Sequence, residues 1–125
     1  MALQTGTWAA SVGGENLPLT ITSVGANGSV KATLGPEQIG GLNCAGFWDE
    51  DSQRLSLISS GQGGSLMLTG YQFTDPINIT GVSGSVIFTL AGIVDYFGTQ
   101  PPNQPGPAPS AKQSSFGWYA QIGVD

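Results

Sequence analysis

Leu17-Pro18-Leu19-Thr20-Ile21-Thr22 alternates apolar and polar side chains. Val30-Lys31-Ala32-Thr33-Leu34 does so again after Ala26-Asn27-Gly28-Ser29. A period of two puts successive side chains on opposite faces of a strand, whereas a helix repeats at about 3.6. Asn-Gly between two such runs accepts positive φ and predicts a hairpin closed by a type I′ turn. Pro18 has no N–H to give a ladder, so it marks a sheet edge, a bulge or the beginning of its strand.

The same period runs outward in both directions. Thr7 to Val12 precedes the hairpin and stops at Gly13-Gly14. Leu42 to Trp48 follows it and ends in the acidic turn Asp49-Glu50-Asp51-Ser52. Arg54 to Ile58, Leu66 to Phe73, Val86 to Phe97 and Phe116 to Val124 complete the series. That is about eight strands of ordinary length, and no segment carries a helical period. Sequential strands joined by short turns predict an all-β, antiparallel, up-and-down barrel or a sandwich. Closure into a barrel removes the edges that a chain so poor in lysine could not protect.

Residues 1–125 read as a single barrel domain with two interruptions. Asp75 to Ser85 predicts a long loop with a weak strand around Ile77-Asn78-Ile79. Residues 98–115 contain Pro101, Pro102, Pro105, Pro107 and Pro109, which cannot join a central ladder. This segment reads as an extended excursion, either a tolerated insertion, a flap over the barrel mouth or an arm to a neighbouring subunit.

Composition narrows the function. Only 9% of residues are charged, and three basic residues stand against eight acidic ones for a net charge of −5. A nucleic-acid footprint or an anionic membrane surface asks for clustered Lys and Arg, so neither is expected as a partner. There is no histidine, which excludes a Ser-His-Asp triad, a Cys-His pair and His-ligated metal. Cys44 is alone, so no internal disulfide and no Cys-rich zinc site is expected. No cofactor and no metal are predicted. Met1 leads into Ala2-Leu3-Gln4-Thr5 without a charged start and apolar core, so no signal peptide is read. The expectation is a cytoplasmic protein or a mature secreted domain.

Thr5-Gly6-Thr7-Trp8 resembles the first strand of the avidin and streptavidin family, which carries Thr-Gly-x-Trp. Cys44-Ala45-Gly46-Phe47-Trp48-Asp49 is similar to that family's fourth-strand Gly-x-Tyr-Asp. Gln121-Ile122-Gly123-Val124-Asp125 is similar to its last strand, and Leu68-Thr69-Gly70-Tyr71-Gln72 more loosely to its sixth. The resemblance implies an avidin- or calycin-like barrel, with Trp8 plugging one end, and a ligand such as biotin in the interior. It also shows departures. Ala10 stands where the family has Asn or a similar polar residue, Gly14 where it has Ser, and Leu34 in the region of its Tyr. The fifth and seventh strands lack the tryptophans that sandwich the ligand. Asp125 alone matches a ligand-contacting position, so biotin binding is expected to be weak.

Trp8, Ala10 and Val12 share one face, and small Ala10 beside Gly13-Gly14 leaves room above Trp8. In Phe47-Trp48 and Trp118-Tyr119, one residue of each pair faces inward and the other outward. The candidate ligand-binding residues are therefore Ala10, Trp48, Asp95, Trp118 and Asp125, with Asn43 as a polar group able to help rebuild the site. Asp95, inside apolar Ile93-Val94-Asp95-Tyr96-Phe97, is either a strand-end carboxylate in water or, if inward, a ligand-orienting or general-base group. The outward aromatics point to a homo-oligomer, dimer or tetramer. The leading expectation is a non-enzymatic barrel holding a small, largely apolar molecule. The alternatives are a cyclase- or isomerase-like barrel using Asp95 or Tyr96 for proton transfer, and a protein-binding barrel.

Overall fold

The computed structural model describes residues 1–35, 42–61, 64–74, 76–99 and 111–125. Eight strands follow in order: β1 (Gly6–Val12), β2 (Glu15–Val24), β3 (Ser29–Leu34), β4 (Leu42–Asp49), β5 (Arg54–Gly61), β6 (Gly64–Thr74), β7 (Val86–Thr99) and β8 (Ala111–Val124). Each pairs antiparallel with its neighbours, and β1 closes the barrel on β8 from Ala9↔Gln121 to Val12↔Trp118. No helix occurs among the described residues.

Alternation delivers the core as expected. Trp8, Ala10 and Val12 of β1 are buried, as are Leu19 and Ile21 of β2 and Val30, Ala32 and Leu34 of β3. Leu55 and Leu57 of β5, Leu68 of β6 and Ala120 of β8 meet them from across the barrel. Trp8, Leu55, Leu57 and Leu68 are wholly removed from solvent. Burial of each such side chain is worth about 1.5–3 kcal/mol.

Pro18 lies within β2 and not at its beginning. Gly35 N donates to Pro18 O at 2.8 Å, just past Leu19↔Leu34, the last pair of the β2–β3 ladder. The side of Pro18 without an N–H thus faces the point where β3 ends. The β2–β3 turn also differs from the expected type I′, which needs positive φ at both central residues. Only Gly28 has it, at 87°. Gly28 N bonds Gly25 O at 3.0 Å, and Gly25 N bonds Ser29 O at 2.7 Å. This is an ordinary turn followed by a left-handed glycine. A register shift at Thr22 absorbs the extra residue, and its hydroxyl donates to Lys31 O at 2.9 Å.

Ile77-Asn78-Ile79 forms no strand, contrary to expectation. Two of its backbone polar groups go instead to one side chain, Gln121 of β8, whose Nε2 donates to Ile77 O at 2.9 Å. Gln121 Oε1 accepts from Ile79 N at 3.0 Å and from Thr80 N at 3.2 Å. The loop therefore lies across the outside of β8. The excursion expected over 98–115 is narrower, since β7 runs to Thr99 and β8 starts at Ala111. Residues 100–110, with all five of its prolines, lie outside the described residues.

Candidate functional site

The two ends of the barrel differ. One end holds the β2–β3 and β4–β5 turns and is stoppered by residues 1–5. Leu3 is buried there, and the backbone around it is tied to the β4–β5 turn and to strands β6 and β1. Gln53 Nε2 donates to Met1 O at 2.8 Å, Gln72 Nε2 to Ala2 O at 3.1 Å, and Trp8 Nε1 to Gln4 O at 3.1 Å. Trp8 is the inner plug that the first-strand motif implies. Trp48 is buried at the same end, and its Nε1 donates to Glu50 Oε2 at 2.6 Å. That hydrogen bond, with the N-terminal ammonium 3.0 Å from Oε1, holds the Glu50 carboxyl below the ordinary glutamate range.

The middle of the barrel is filled by Trp118. Inward register runs Trp118↔Gly92 and Gly92↔Gly70 across β8, β7 and β6. Two glycines side by side leave a trough that the indole occupies, and its Nε1 donates to Thr69 O at 3.1 Å. The ring is a wall of the core and fixes the floor of whatever space lies beyond it.

At the opposite end Val12, Leu34, Cys44, Leu66, Tyr96 and Phe116 have inward parity, with Ser59 among them and Glu15 and Leu42 at the rim. Leu66 and Phe116 are only half-buried, whereas their counterparts deeper in the barrel are sealed. Cys44 Sγ donates to Leu42 O at 3.7 Å. Burial pushes its thiol pKa up, with the Ser59 side chain and the Leu34 backbone opposing the shift. A neutral thiol, the Ser59 hydroxyl and the Tyr96 phenol are thus the uncharged polar groups of an otherwise apolar mouth. Glu15, opposed to Val12, shares the inward parity at the exposed rim, and the described side chains below it carry no charge, which suits an uncharged occupant.

The six residues expected at a ligand site divide. Ala10, Trp48 and Trp118 face the interior and are buried. Phe47 and Tyr119, their sequence neighbours, face outward as the alternation requires. Asp95 faces the outer surface, on the parity of exposed Ile93 and Phe97, and accepts a hydrogen bond from Ser115 Oγ. Asn43 is outward and exposed, and Asp125 is exposed beyond the end of β8. The polar members, Asn43, Asp95 and Asp125, therefore do not converge with the aromatic ones. Tyr96 has inward parity next to Leu66. No group of His, Cys, Asp or Glu suited to a metal occurs among the described residues.

Ser59 and Gln121 were not singled out in the sequence. Ser59 occupies an inward position of β5, so its parity with Leu55 and Leu57 is the signal. Gln121 has no such signal, because its partners lie in a loop about forty residues away.

Comparison with family models, with characterised proteins and with solved structures gives no match to this chain. The likeness to the avidin family rests on the short motifs above.

Proposed function

We propose that this barrel is a non-enzymatic binder of a small, neutral, largely apolar molecule taken in at the open end. The ligand would rest above Trp118 against Leu66 and Phe116, with the Ser59 hydroxyl and Cys44 thiol orienting it. The observation that carries this reading is the inequality of the two ends, one strapped shut and the other apolar and half-exposed. Pockets of this kind are mostly apolar with a few placed polar groups. Biotin itself suits the mouth poorly, because below the rim its ureido group would meet two hydroxyls and one thiol, with no amide or carboxylate among the described side chains. Of the two proton-transfer candidates, Asp95 lies outside the barrel and Tyr96 alone has inward parity, with no carboxylate beside it among the described residues to form an acid–base pair.

The test is a fluorescence titration with a neutral naphthylamine probe. Binding in about the micromolar range is expected, and Leu66→Lys should weaken it by at least about tenfold. Unchanged binding in that variant would remove the open end from consideration.

The homo-oligomer is proposed on a separate observation. Phe47 (65% exposed), Tyr71 (52%), Phe73 (41%) and Phe97 (43%) lie on the outer face of β4–β7, with Ile58 and Ile93 between them and Arg54 and Asp95 as its charged members. At roughly 150–250 Å² per aromatic side chain, the four aromatics alone expose about 400 Å². A stable interface needs about 800 Å² per partner. The isoleucines and neighbouring Ala45, Met67 and Ala91 extend the face toward that size, so a second copy of the chain is its fitting occupant, in a two-fold arrangement. Sedimentation should give a mass of at least two chains, reduced to one by Ile93→Glu. A monomer at about 100 μM would refute this assembly.

A further inference from the structure

The outer surface holds a second recess, away from the open end and bordering the apolar face of β4–β7 where Ala91 pairs with Tyr119. Its floor is a single row of opposed residues. Asn16 of β2 pairs with Ser11 of β1, and Ser11 pairs with Tyr119 of β8. Directly opposed residues of antiparallel strands point to the same face. Their neighbours Ala10, Val12, Trp118 and Ala120 are buried inside, so this row points out. Strands lie about 4.8 Å apart, which spreads the three groups over about 10 Å. The Ser11 hydroxyl, the Asn16 carboxamide and the Tyr119 hydroxyl make no hydrogen bond to any described residue.

The next row is Ala9 opposite Pro18, both small or flat, and it deepens the recess. One wall is the loop of residues 76–84, which contributes Ile79, Thr80 and Val82. That wall is anchored. Fully buried Gln121 holds it through Ile77 O, Ile79 N, Thr80 N and the Thr80 hydroxyl, and is itself bonded to the Thr89 hydroxyl at 3.0 Å. The recess, open on its outer side, has a volume of about 560 Å³. This falls within the roughly 300–1,000 Å³ of small-molecule sites. An anchored wall means that a ligand meets a preformed shape and loses little affinity to ordering the protein.

The chemistry of the lining selects the ligand. No residue around the recess is charged, so an anion would find no cation and a cation no carboxylate. What remains is an amide, two hydroxyls at strand spacing, and the apolar surfaces of Tyr119, Pro18 and Ile79. Tyrosine offers an apolar ring body with a polar tip. A pyranose has the matching pair of surfaces, hydroxyls at its rim and C–H groups on its faces. We propose that this recess binds a neutral saccharide of one or two pyranose rings. Asn16 and Ser11 hydrogen-bond its hydroxyls, and Tyr119 supports a ring face. The polar contacts are few and partly solvated, which places affinity in about the millimolar range.

The test is nuclear magnetic resonance of the full chain, with amide shifts followed during titration with maltose, cellobiose, lactose and diacetylchitobiose, each to about 50 mM. At least one should give saturable shifts centred on residues 7–11, 16–18, 79–82 and 119. Tyr119→Ala and Asn16→Ala should each raise its Kd by at least about fivefold. Both side chains face outward, and a folded amide spectrum of each variant confirms that the barrel stands. The naphthylamine probe, titrated into the same samples, should bind both variants as it binds the parent chain, which separates this site from the open end. Absence of saturable shifts at the recess with all four sugars would overturn the proposal. So would a saccharide affinity unchanged in both variants.

Discussion

The indole of Trp118 lies on Gly70. A Cβ at position 70 would stand 2.7 Å from Trp118 Cζ2 and 3.1 Å from Ala91 O. With Gly92 between them in the register, Gly70 is the gap into which the largest side chain of β8 fits. The same packing lets Trp118 Nε1 reach Thr69 O, so one glycine both admits the ring and sets its hydrogen bond.

Gly70→Ala is therefore expected to destabilise the barrel by about 1–3 kcal/mol through overpacking. It should also shift the Trp118 emission, because the ring must leave its present position. Denaturant unfolding and fluorescence measure both. A stability equal to that of the parent chain would mean that Trp118 does not rest on Gly70.

Trp8 stoppers the other end with no solvent exposure. Trp8→Ala should cost about 3–5 kcal/mol, the range for emptying a buried aromatic site. A loss below about 1 kcal/mol in urea unfolding would deny it the role of plug.

Glu50 gives the closed end a pH response. Its pKa is lowered in the fold, first by the Trp48 indole N–H and then by the N-terminal ammonium. A depressed carboxyl pKa adds stability that is complete above the unfolded-state value and is lost as pH falls through the folded one. Stability should thus decline on the acid side of the ordinary glutamate range, and Glu50→Gln should flatten that decline. Unfolding midpoints measured across the acid range would show it. Identical slopes in both proteins would contradict the assigned hydrogen bond.

Biotin should bind in the micromolar range or more weakly. Each buried ligand atom left without a partner costs about 1–3 kcal/mol, and about 1.4 kcal/mol is tenfold in affinity. Ala10 and Leu34 offer no polar group, and Asp125 is exposed beyond β8. Titration calorimetry decides it, and a Kd below about 1 nM would show that other side chains rebuild the site.

How far the sequence reads correctly follows from contrast between the two faces of each strand. In β1 to β3, polar residues such as Thr20 and Lys31 separate the buried ones, so alternation alone identifies the core. On β7 the contrast disappears, because outward Ile93 is as apolar as inward Val94. Asp95 could therefore be placed on either face until its register with Met67 and Ser115 was known. The Ile77–Ile79 segment fails for another reason. Its apolar spacing suits a strand, but its hydrogen-bond partner is Gln121, and tertiary contacts of that kind leave no local pattern. The type I′ expectation failed because Gly28 alone carries the positive φ, with the Thr22 bulge accommodating the register.

The central claim is that ligand enters at the end lined by Leu66 and Phe116. Amide shift mapping of the full chain during titration with the neutral naphthylamine probe tests it most directly. Predicted are saturable shifts at Val12, Leu34, Cys44, Ser59, Leu66 and Phe116, with Leu3, Gln53 and Gln72 at the strapped end unmoved. Shifts confined to the strapped end, or none at probe saturation, would contradict it.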